Sequence, residues 1–253
     1  MKLTVIIATH NEEKNIGACL DSVKDIADEI IVADGESSDR TVQIAKDKGA
    51  IVLSMTNKRM FHFNKEEAKE HAQGQWILFL DADEILTPEL RSEIQSVLDG
   101  THTEVDLTST PLFRKHMENI SKRDSIVMEQ TLPIAGYFIA RKNYFLGRYL
   151  MHSGVYPDGV IRLVRNGNAY WPCKDVHETM VVQGGVSWLS SSMIHMADPT
   201  FSRYLERANR YTSLTADTLA TSHVPISILS SVRYLLWIPA KTFLLNIVIL
   251  QSR

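Results

Sequence analysis

The chain has 253 residues, of which 44% are apolar and 23% charged, with a formal net charge of -3. That length fits one generous domain, or one domain with a C-terminal appendage, and that apolar content supports a sizeable core and excludes a disordered chain. The near-neutral charge supplies no basic field, so nucleic acid is not an expected partner.

In chain order, the apolar run Leu3-Thr4-Val5-Ile6-Ile7-Ala8 predicts a first strand, ending in Thr9-His10-Asn11-Glu12-Glu13. The N-terminus enters this strand directly, with no signal-peptide pattern, so a cytoplasmic setting is expected. Ile16, Cys19, Leu20 and Val23 then recur at helical spacing. Glu29-Ile30-Ile31-Val32-Ala33 predicts a second strand ending in Asp34-Gly35-Glu36-Ser37-Ser38-Asp39. A helix through Val42, Ile44 and Ala45 closes at Gly49, and Ala50-Ile51-Val52-Leu53 is a further strand. A helix over roughly Lys65–Ala72 leads to Trp76-Ile77-Leu78-Phe79-Leu80, a strand buried on both faces, which ends in Asp81-Ala82-Asp83. Thr87-Pro88-Glu89 has the composition of a helix start, and Glu84 reads as a turn or helix-entry residue.

Alternating strands and helices predict an α/β fold with a mostly parallel sheet and right-handed crossovers. Three polar clusters, Thr9–Glu12, Asp34–Asp39 and Asp81–Glu84, then share the carboxyl edge of that sheet, where open α/β sheets bind ligands. Carboxylates spaced i and i+2 at such an edge can hold a hard divalent cation, and the cation can hold a diphosphate. The alternative use of such acids is to start a turn or cap a helix.

The segments "VIIATHNEE", "IIVADGESSDRT" and "GQWILFLDADE" resemble, in order and spacing, the three signature segments of family 2 glycosyltransferases of the GT-A fold. The later stretch "ARKNYFLGRYL…YPDGVIRLVR…VHE" is similar to the bacterial subgroup containing lipopolysaccharide core glucosyltransferases. The resemblance is dense over residues 1–90 and patchy over 136–215. It implies a nucleotide-diphospho-sugar donor, UDP-linked, and a glycan or lipid-linked acceptor of the cell envelope. It further implies that Thr9, Asn11 and Glu12 line the nucleoside pocket, although Asn11 and Glu12 could instead cap the following helix. Asp34 would accept from the base or ribose, as suits a carboxylate facing imide or hydroxyl donors. Lys65 matches a basic position facing the diphosphate, although Glu66 stands where the family usually has Asn.

On the same resemblance Asp83 ligates the metal directly, and Asp81 touches the ribose or a metal-bound water. With oxygen ligands, Mg²⁺ or Mn²⁺ is the expected ion. A late His completes the metal shell in many such enzymes, and His195 in Ile194-His195-Met196 is the candidate. An inverting transfer needs a base for the acceptor hydroxyl. Glu178 in Asp175-Val176-His177-Glu178 matches the subgroup's "HE" segment, with His177 orienting it or touching the diphosphate. Asp158 is the rival, although Pro157-Asp158-Gly159 is also a plain turn signal.

Residues 100–135 have no clean period and are read as an insertion or lid. Arg141, Lys142, Arg148, Arg162 and Arg165, interleaved with Tyr144, Phe145 and Tyr149, read either as solvated strand faces or as a site for an anionic acceptor near a membrane. Cys19 and Cys173 cannot form a disulfide framework and read as structural. A long helix is expected over Thr200–Ser222. Val224–Leu250 is apolar, but Pro225, Pro239, Arg233 and Lys241 interrupt it, which fits amphipathic helices in a membrane interface better than a span. The expected organisation is a catalytic domain over residues 1–199, with a nucleotide half to 99 and an acceptor half beyond, and a membrane-associated helical segment over 200–253 on the inner face of the cell membrane. Two other functions are compatible with the same sheet. A sugar nucleotidyltransferase would carry a glycine-rich basic loop after the first strand, which "ATHNEEKN" lacks. A catalytically silent sugar-nucleotide-binding protein would have no need of Asp81, Asp83 and Glu178.

Overall fold

The computed structural model describes residues 1–57, 61–104, 111–124, 133–152, 155–173, 179–221, 232 and 236–237. The first half alternates as the apolar runs dictate: β1 (Leu3–Thr9), α1 (Ile16–Val23), β2 (Glu29–Gly35), α2 (Thr41–Asp47), β3 (Ile51–Met55), α3 (Phe61–Lys69) and β4 (Trp76–Asp81). A short β5 (Glu84–Leu86) and α4 (Pro88–Leu98) follow. Thr87 caps α4, its Oγ1 accepting from the Leu90 N–H at 3.2 Å, with Pro88 in the first turn where its missing donor costs nothing.

The second half is built differently. After α5 (Pro111–Asp124) it is dominated by long strands: β6 (Ile134–Phe145) with its hairpin partner β7 (Arg148–Tyr149), β8 (Asp158–Arg165) and β11 (Gly185–Asp198). The short β9 (Ala169–Tyr170) and β10 (Val181–Val182) form a separate ribbon, and α6 (Phe201–Thr221) ends the regular structure.

One sheet joins both halves in the order β3-β2-β1-β4-β8-β6-β11-β5. The first four strands are parallel, and β8 then runs antiparallel to β4. Its apolar side chains feed two cores. One, under α1 and α4, includes Val5, Ile7, Leu20, Leu78 and Ile94; the other, on the opposite face, includes Ile6, Phe79, Phe138, Trp171 and Trp188. Alternating residues of β1 and β4 serve opposite faces, as a strand's two-residue period requires.

Three sequence expectations change here. Lys65 lies inside α3, because the helix begins at Phe61. Glu84 is a strand residue with no exposure, paired with His195 across β5 and β11. The unreadable stretch before residue 135 contains α5, whose sequence is strongly polar. Cys19 is buried as expected. Of the apolar stretch after Val224, only Val232, Leu236 and Trp237 are described, and all three are exposed. Among the described residues no helix is long and apolar enough to cross a membrane.

Candidate active site

Parallel pairing aligns Ala8 with both Ala33 and Asp81, so the carboxyl ends of β1, β2 and β4 finish level. A cavity of about 700 Å³ opens above this edge, within the range of small-molecule sites. Its wall includes Thr9, Glu12, Lys65, Asp81 and Asp83 from the first half. Asp158, Arg162 and His195 from β8 and β11 line it too, as do Arg203, Arg207 and Arg210 from α6.

Asp81 is held by cations. Lys65 Nζ donates to Oδ1 at 2.6 Å, and the Arg162 guanidinium donates to Oδ2. Burial alone would raise the Asp81 pKa, but Arg162 and Lys65 outweigh it and hold the carboxyl well below its usual range. Arg162 is itself buried on β8 and donates at 2.6 Å to Glu84, which is inaccessible to solvent. Glu84 also accepts from the Asp81 N–H at 3.0 Å. The turn after β4 is therefore locked from beneath by a buried ion pair. Arg162 is thus not a solvated strand-face residue.

Asp83 faces a different environment. Its Oδ2 lies 3.6 Å from His195 Nε2 and 3.5 Å from an Arg203 Nη2. The other ring nitrogen, His195 Nδ1, is 2.6 Å from Asn143 Oδ1. An amide oxygen only accepts, so Nδ1 carries a proton. The amide's orientation is fixed in turn, because its Nδ2 donates to Asp158 Oδ2 at 2.9 Å. Asp158, Asn143, His195 and Asp83 thus form a chain that aims Nε2 at the Asp83 carboxylate. Burial would raise the Asp83 pKa, yet His195 and Arg203 leave it lowered.

Asp158 begins β8 rather than making a turn, and its Oδ2 also accepts from Arg141 Nε at 3.0 Å and Nη2 at 2.8 Å. The next residue has to be glycine. A Cβ at Gly159 would lie 2.0 Å from the Trp188 ring and 2.9 Å from His116 Nε2. His116, on α5, accepts from the Gly159 N–H at 3.2 Å, so α5 packs over this part of the cavity as a lid would.

The remaining expected residues divide. Thr9 is buried at the end of β1, and its hydroxyl has no hydrogen-bond partner among the described residues. Asp34 is buried on β2; Oδ2 accepts from the Ser37 N–H at 2.9 Å, and Oδ1 has no partner among the described residues. Neither Asp34 nor Asn11 lines the cavity. Asn11 Oδ1 instead accepts from the Ser38 N–H at 2.8 Å, joining the loops after β1 and β2. It does not cap α1, whose first turn follows Asn15. Glu12 accepts from Asn15 Nδ2 at 2.6 Å and from Arg203 Nη2 at 2.9 Å. His177 and Glu178 lie outside the described residues; Thr179 and Met180, which follow them in the chain, line the cavity.

The sequence reading missed Arg203, Arg207 and Arg210. Their spacing of four and three places them on one face of α6, a signal that was present in "RYLERANR".

Residues 4–164 match the family described as Glycosyl transferase family 2. The chain belongs to that family. An uncharacterized glycosyltransferase of Rickettsia typhi is 42% identical over 96 residues, covering 38% of this chain and 32% of the relative. The glycosyltransferase SunS of Bacillus subtilis is 38% identical over 97 residues, covering 38% of this chain and 23% of that protein. The chain thus spans about a third of the length of the first of these relatives. Among solved structures, S. aureus TarS in complex with UDP-GlcNAc is 19% identical with a TM-score of 0.46, covering 77% of this chain and 58% of that one. Glucosyl-3-phosphoglycerate synthase from Mycobacterium tuberculosis, in complex with Mn²⁺, UDP-glucose and phosphoglyceric acid, is 24% identical with a TM-score of 0.35, covering 39% and 40%.

Proposed function

We propose that this protein moves a hexose from a UDP-linked donor to a glycan or lipid-linked acceptor of the cell envelope, with inversion and with Mg²⁺ or Mn²⁺. The observation that carries the metal-dependent part is the Asp83–His195 pair. Among the described residues no group of three or more His, Cys, Asp or Glu side chains is placed to hold a metal. Two protein ligands suffice, however, for a cation that takes its remaining ligands from substrate phosphates and water. Asp83 Oδ2 and His195 Nε2 face one another at 3.6 Å, and in the neutral imidazole the Nδ1 hydrogen bond to Asn143 would leave Nε2 as the nitrogen that can ligate an ion. When bound, the ion neutralises charge developing on the leaving diphosphate.

The chain's own residues supply the rest. Thr9 and Glu12, which line the cavity, meet the nucleoside on this reading, with Asn11 and Asp34 beside them at the ends of β1 and β2. The unpartnered Thr9 hydroxyl and Asp34 Oδ1 are the polar groups a nucleoside would satisfy. Asn11 acts through the loop it ties to Ser38. Lys65 sets the charge and position of Asp81, leaving Asp81 to reach the ribose or a water rather than the ion itself. Glu178 is the base for the acceptor hydroxyl, with His177 beside it; Asp158 is the rival. Three donor contacts on Asp158 Oδ2 favour a positioning role for that residue.

The division into a catalytic part to residue 199 and a helical part from 200 is kept with one change, because α6 completes the cavity wall. Membrane attachment would use exposed apolar groups. Phe201, Tyr204 and Leu205 on α6 are exposed, as are Leu146, Tyr149 and Leu150 at the β6–β7 hairpin; Phe145 and Tyr204 touch edge to face at 5.5 Å. Such a surface, with Val232, Leu236 and Trp237, suits the inner face of the cell membrane. A screen of nucleotide sugars for hydrolysis with and without Mn²⁺ tests the donor and metal assignment. UDP-hexose turnover that chelator stops is expected, and unchanged turnover in chelator would overturn the metal role.

A further inference from the structure

Arg203 reaches the same Asp83 carboxylate oxygen that a bound cation would use. Its guanidinium is 2.9 Å from Glu12 Oε1 and 3.5 Å from Asp83 Oδ2, the oxygen that also faces His195 Nε2 at 3.6 Å. The side chain is only one-third exposed, and it crosses 191 positions of sequence to reach Glu12. It is therefore a long-range contact that ties α6 to the loop after β1 and to the turn after β4. Arg is always protonated and cannot ligate a metal. A divalent ion on Asp83 and His195 and the Arg203 guanidinium in this position would be two cations sharing one carboxylate oxygen.

From this geometry we propose that Arg203 is an internal stand-in for the metal, which makes metal binding and nucleoside-diphosphate binding depend on each other. The inference rests on the metal-dependent reading above. With no donor present, Arg203 neutralises Asp83 and Glu12, and a metal entering alone must displace it without offering a new partner. A diphosphate changes the balance. It brings several anionic oxygens, enough to accept from a displaced guanidinium and to ligate the ion. The ion and the diphosphate then enter together. Because α6 carries Arg203, Arg207 and Arg210 on the face that lines the cavity, the same exchange shifts the anchoring of that helix from protein carboxylates to the donor. Arg207 remains bound to Asp198 and keeps the start of α6 on β11. The exchange is reciprocal, as linkage requires: the diphosphate raises affinity for the metal by the same factor as the metal raises affinity for the diphosphate.

The test is Mn²⁺ binding to the full chain, followed by the paramagnetic signal of free Mn²⁺, with and without UDP. No turnover is needed. The unaltered protein should bind Mn²⁺ weakly alone, and UDP should strengthen that binding by roughly 5–150-fold, the usual range for coupled sites. Arg203→Gln removes the competing charge. It should tighten binding of Mn²⁺ alone by about tenfold or more and shrink the UDP enhancement within that range. Arg203→Lys keeps the charge and should restore weak binding of the metal alone, which a role in folding or shape would not produce. His195→Ala should lose Mn²⁺ binding in either background. If Arg203→Gln leaves the affinity for Mn²⁺ alone unchanged or lower while UDP still enhances binding, the stand-in role is overturned and the metal site stands. If neither protein binds Mn²⁺ even with UDP, both the stand-in role and the metal-dependent reading fall.

Discussion

The two halves of the molecule contribute largely opposite charges to one cavity, Asp158 and Glu206 being the acids that the second half adds. The parallel half, β3-β2-β1-β4, delivers carboxylates: Glu12, Asp81 and Asp83 all follow or end its strands. Apart from Lys65, the cations paired with them come from the antiparallel half and the helix beyond it: Arg162 and Arg203. The acids are placed by local rules, since a parallel strand must end where its crossover begins. The cations are placed by pairing over long sequence distances. Arg162 reaches Asp81 across 81 positions, and Arg203 reaches Glu12 across 191. The first half sets where charge is needed, and the second decides how that charge is balanced.

The largest effect expected from breaking this arrangement is at Asp83. Asp83→Ala removes the one carboxylate among the described residues that faces both His195 and Arg203. Transfer should fall below detection, and Mn²⁺ binding in the presence of UDP should be lost. A variant that turns over normally would mean that the cations of the second half, and not a metal, balance the diphosphate. The side chain is 16% exposed and makes no buried ion pair of the Arg162 type, so the melting temperature should move little. A calorimetric scan checks that the loss is chemical.

Next in size is the contrast between the two candidate bases. Glu178→Gln keeps shape and hydrogen bonding but cannot take a proton. Turnover should fall by about 10²–10⁴-fold with donor binding kept, the usual range of general-base catalysis. Asp158→Asn should cost less than about tenfold, below that range, because an oxygen accepting from Arg141 and Asn143 is poorly disposed to collect a proton. Single-turnover rates of both variants, with donor affinity measured separately, decide the pair. The reverse ranking would move the base to β8.

The same contrast explains what could be read from sequence. The four parallel strands, the cap at Thr87, the burial of Cys19 and the shared edge of the three polar clusters all follow from periodicity within about 90 residues. The partnership of Arg162 with Asp81 and Glu84 does not. In "GVIRLVR" the arginine shares its strand face with Val160 and Val164, and only the pairing of β8 with β4 shows which carboxylates that face meets. Lys65 was legible as a charge near the diphosphate but not as a buried partner of Asp81, because that depends on how α3 crosses the sheet. The α6 arginines were legible as one helix face, yet nothing local says what that face meets.

Arg162→Leu tests the buried balance directly. Glu84 has no exposure and would keep, among the described residues, the Asp81 N–H at 3.0 Å and only the more distant cation Arg141, its Nη1 at 3.5 Å. Breaking a buried pair from one side costs about 3–5 kcal/mol, or very roughly 6–20 °C in a chain of this size. The loss should depend on pH. Asp81 in the native protein has a lowered pKa, so its contribution is present above its unfolded value near 3.8 and is lost as pH falls through the lower folded value. Without Arg162 the attraction that offsets burial is weakened and the folded value rises. The stability gap between the two proteins should therefore narrow as pH falls from the variant's raised folded value toward the lower folded value of the unaltered protein. A gap constant with pH, measured by denaturant titration, would show that Arg162 acts through packing alone.

The smallest effect is expected from an ion pair of the same chemistry in the other half. Arg40 Nε lies 3.2 Å from Glu13 Oε2, at the edge where the loops after β1 and β2 meet. The Arg40 side chain is 80% exposed. Water screens the attraction, and ordering a long side chain offsets what remains, so exposed pairs of this kind contribute about 0–1 kcal/mol. Arg40→Ala should thus shift the denaturation midpoint by a few tenths of what Arg162→Leu does. Unlike that variant, its effect should fade in 1 M salt, where the Debye length is about 3 Å. Donor affinity should hold, because the Glu13 N–H remains bound to Asp39 Oδ2 at 3.1 Å and Thr41 still holds the Glu12 N–H at 2.8 Å. If Arg40→Ala instead weakened UDP binding severalfold, the exposed pair would be organising the nucleoside loops. The carboxylate half would then depend on its own surface cation as well as on those delivered by β8 and α6.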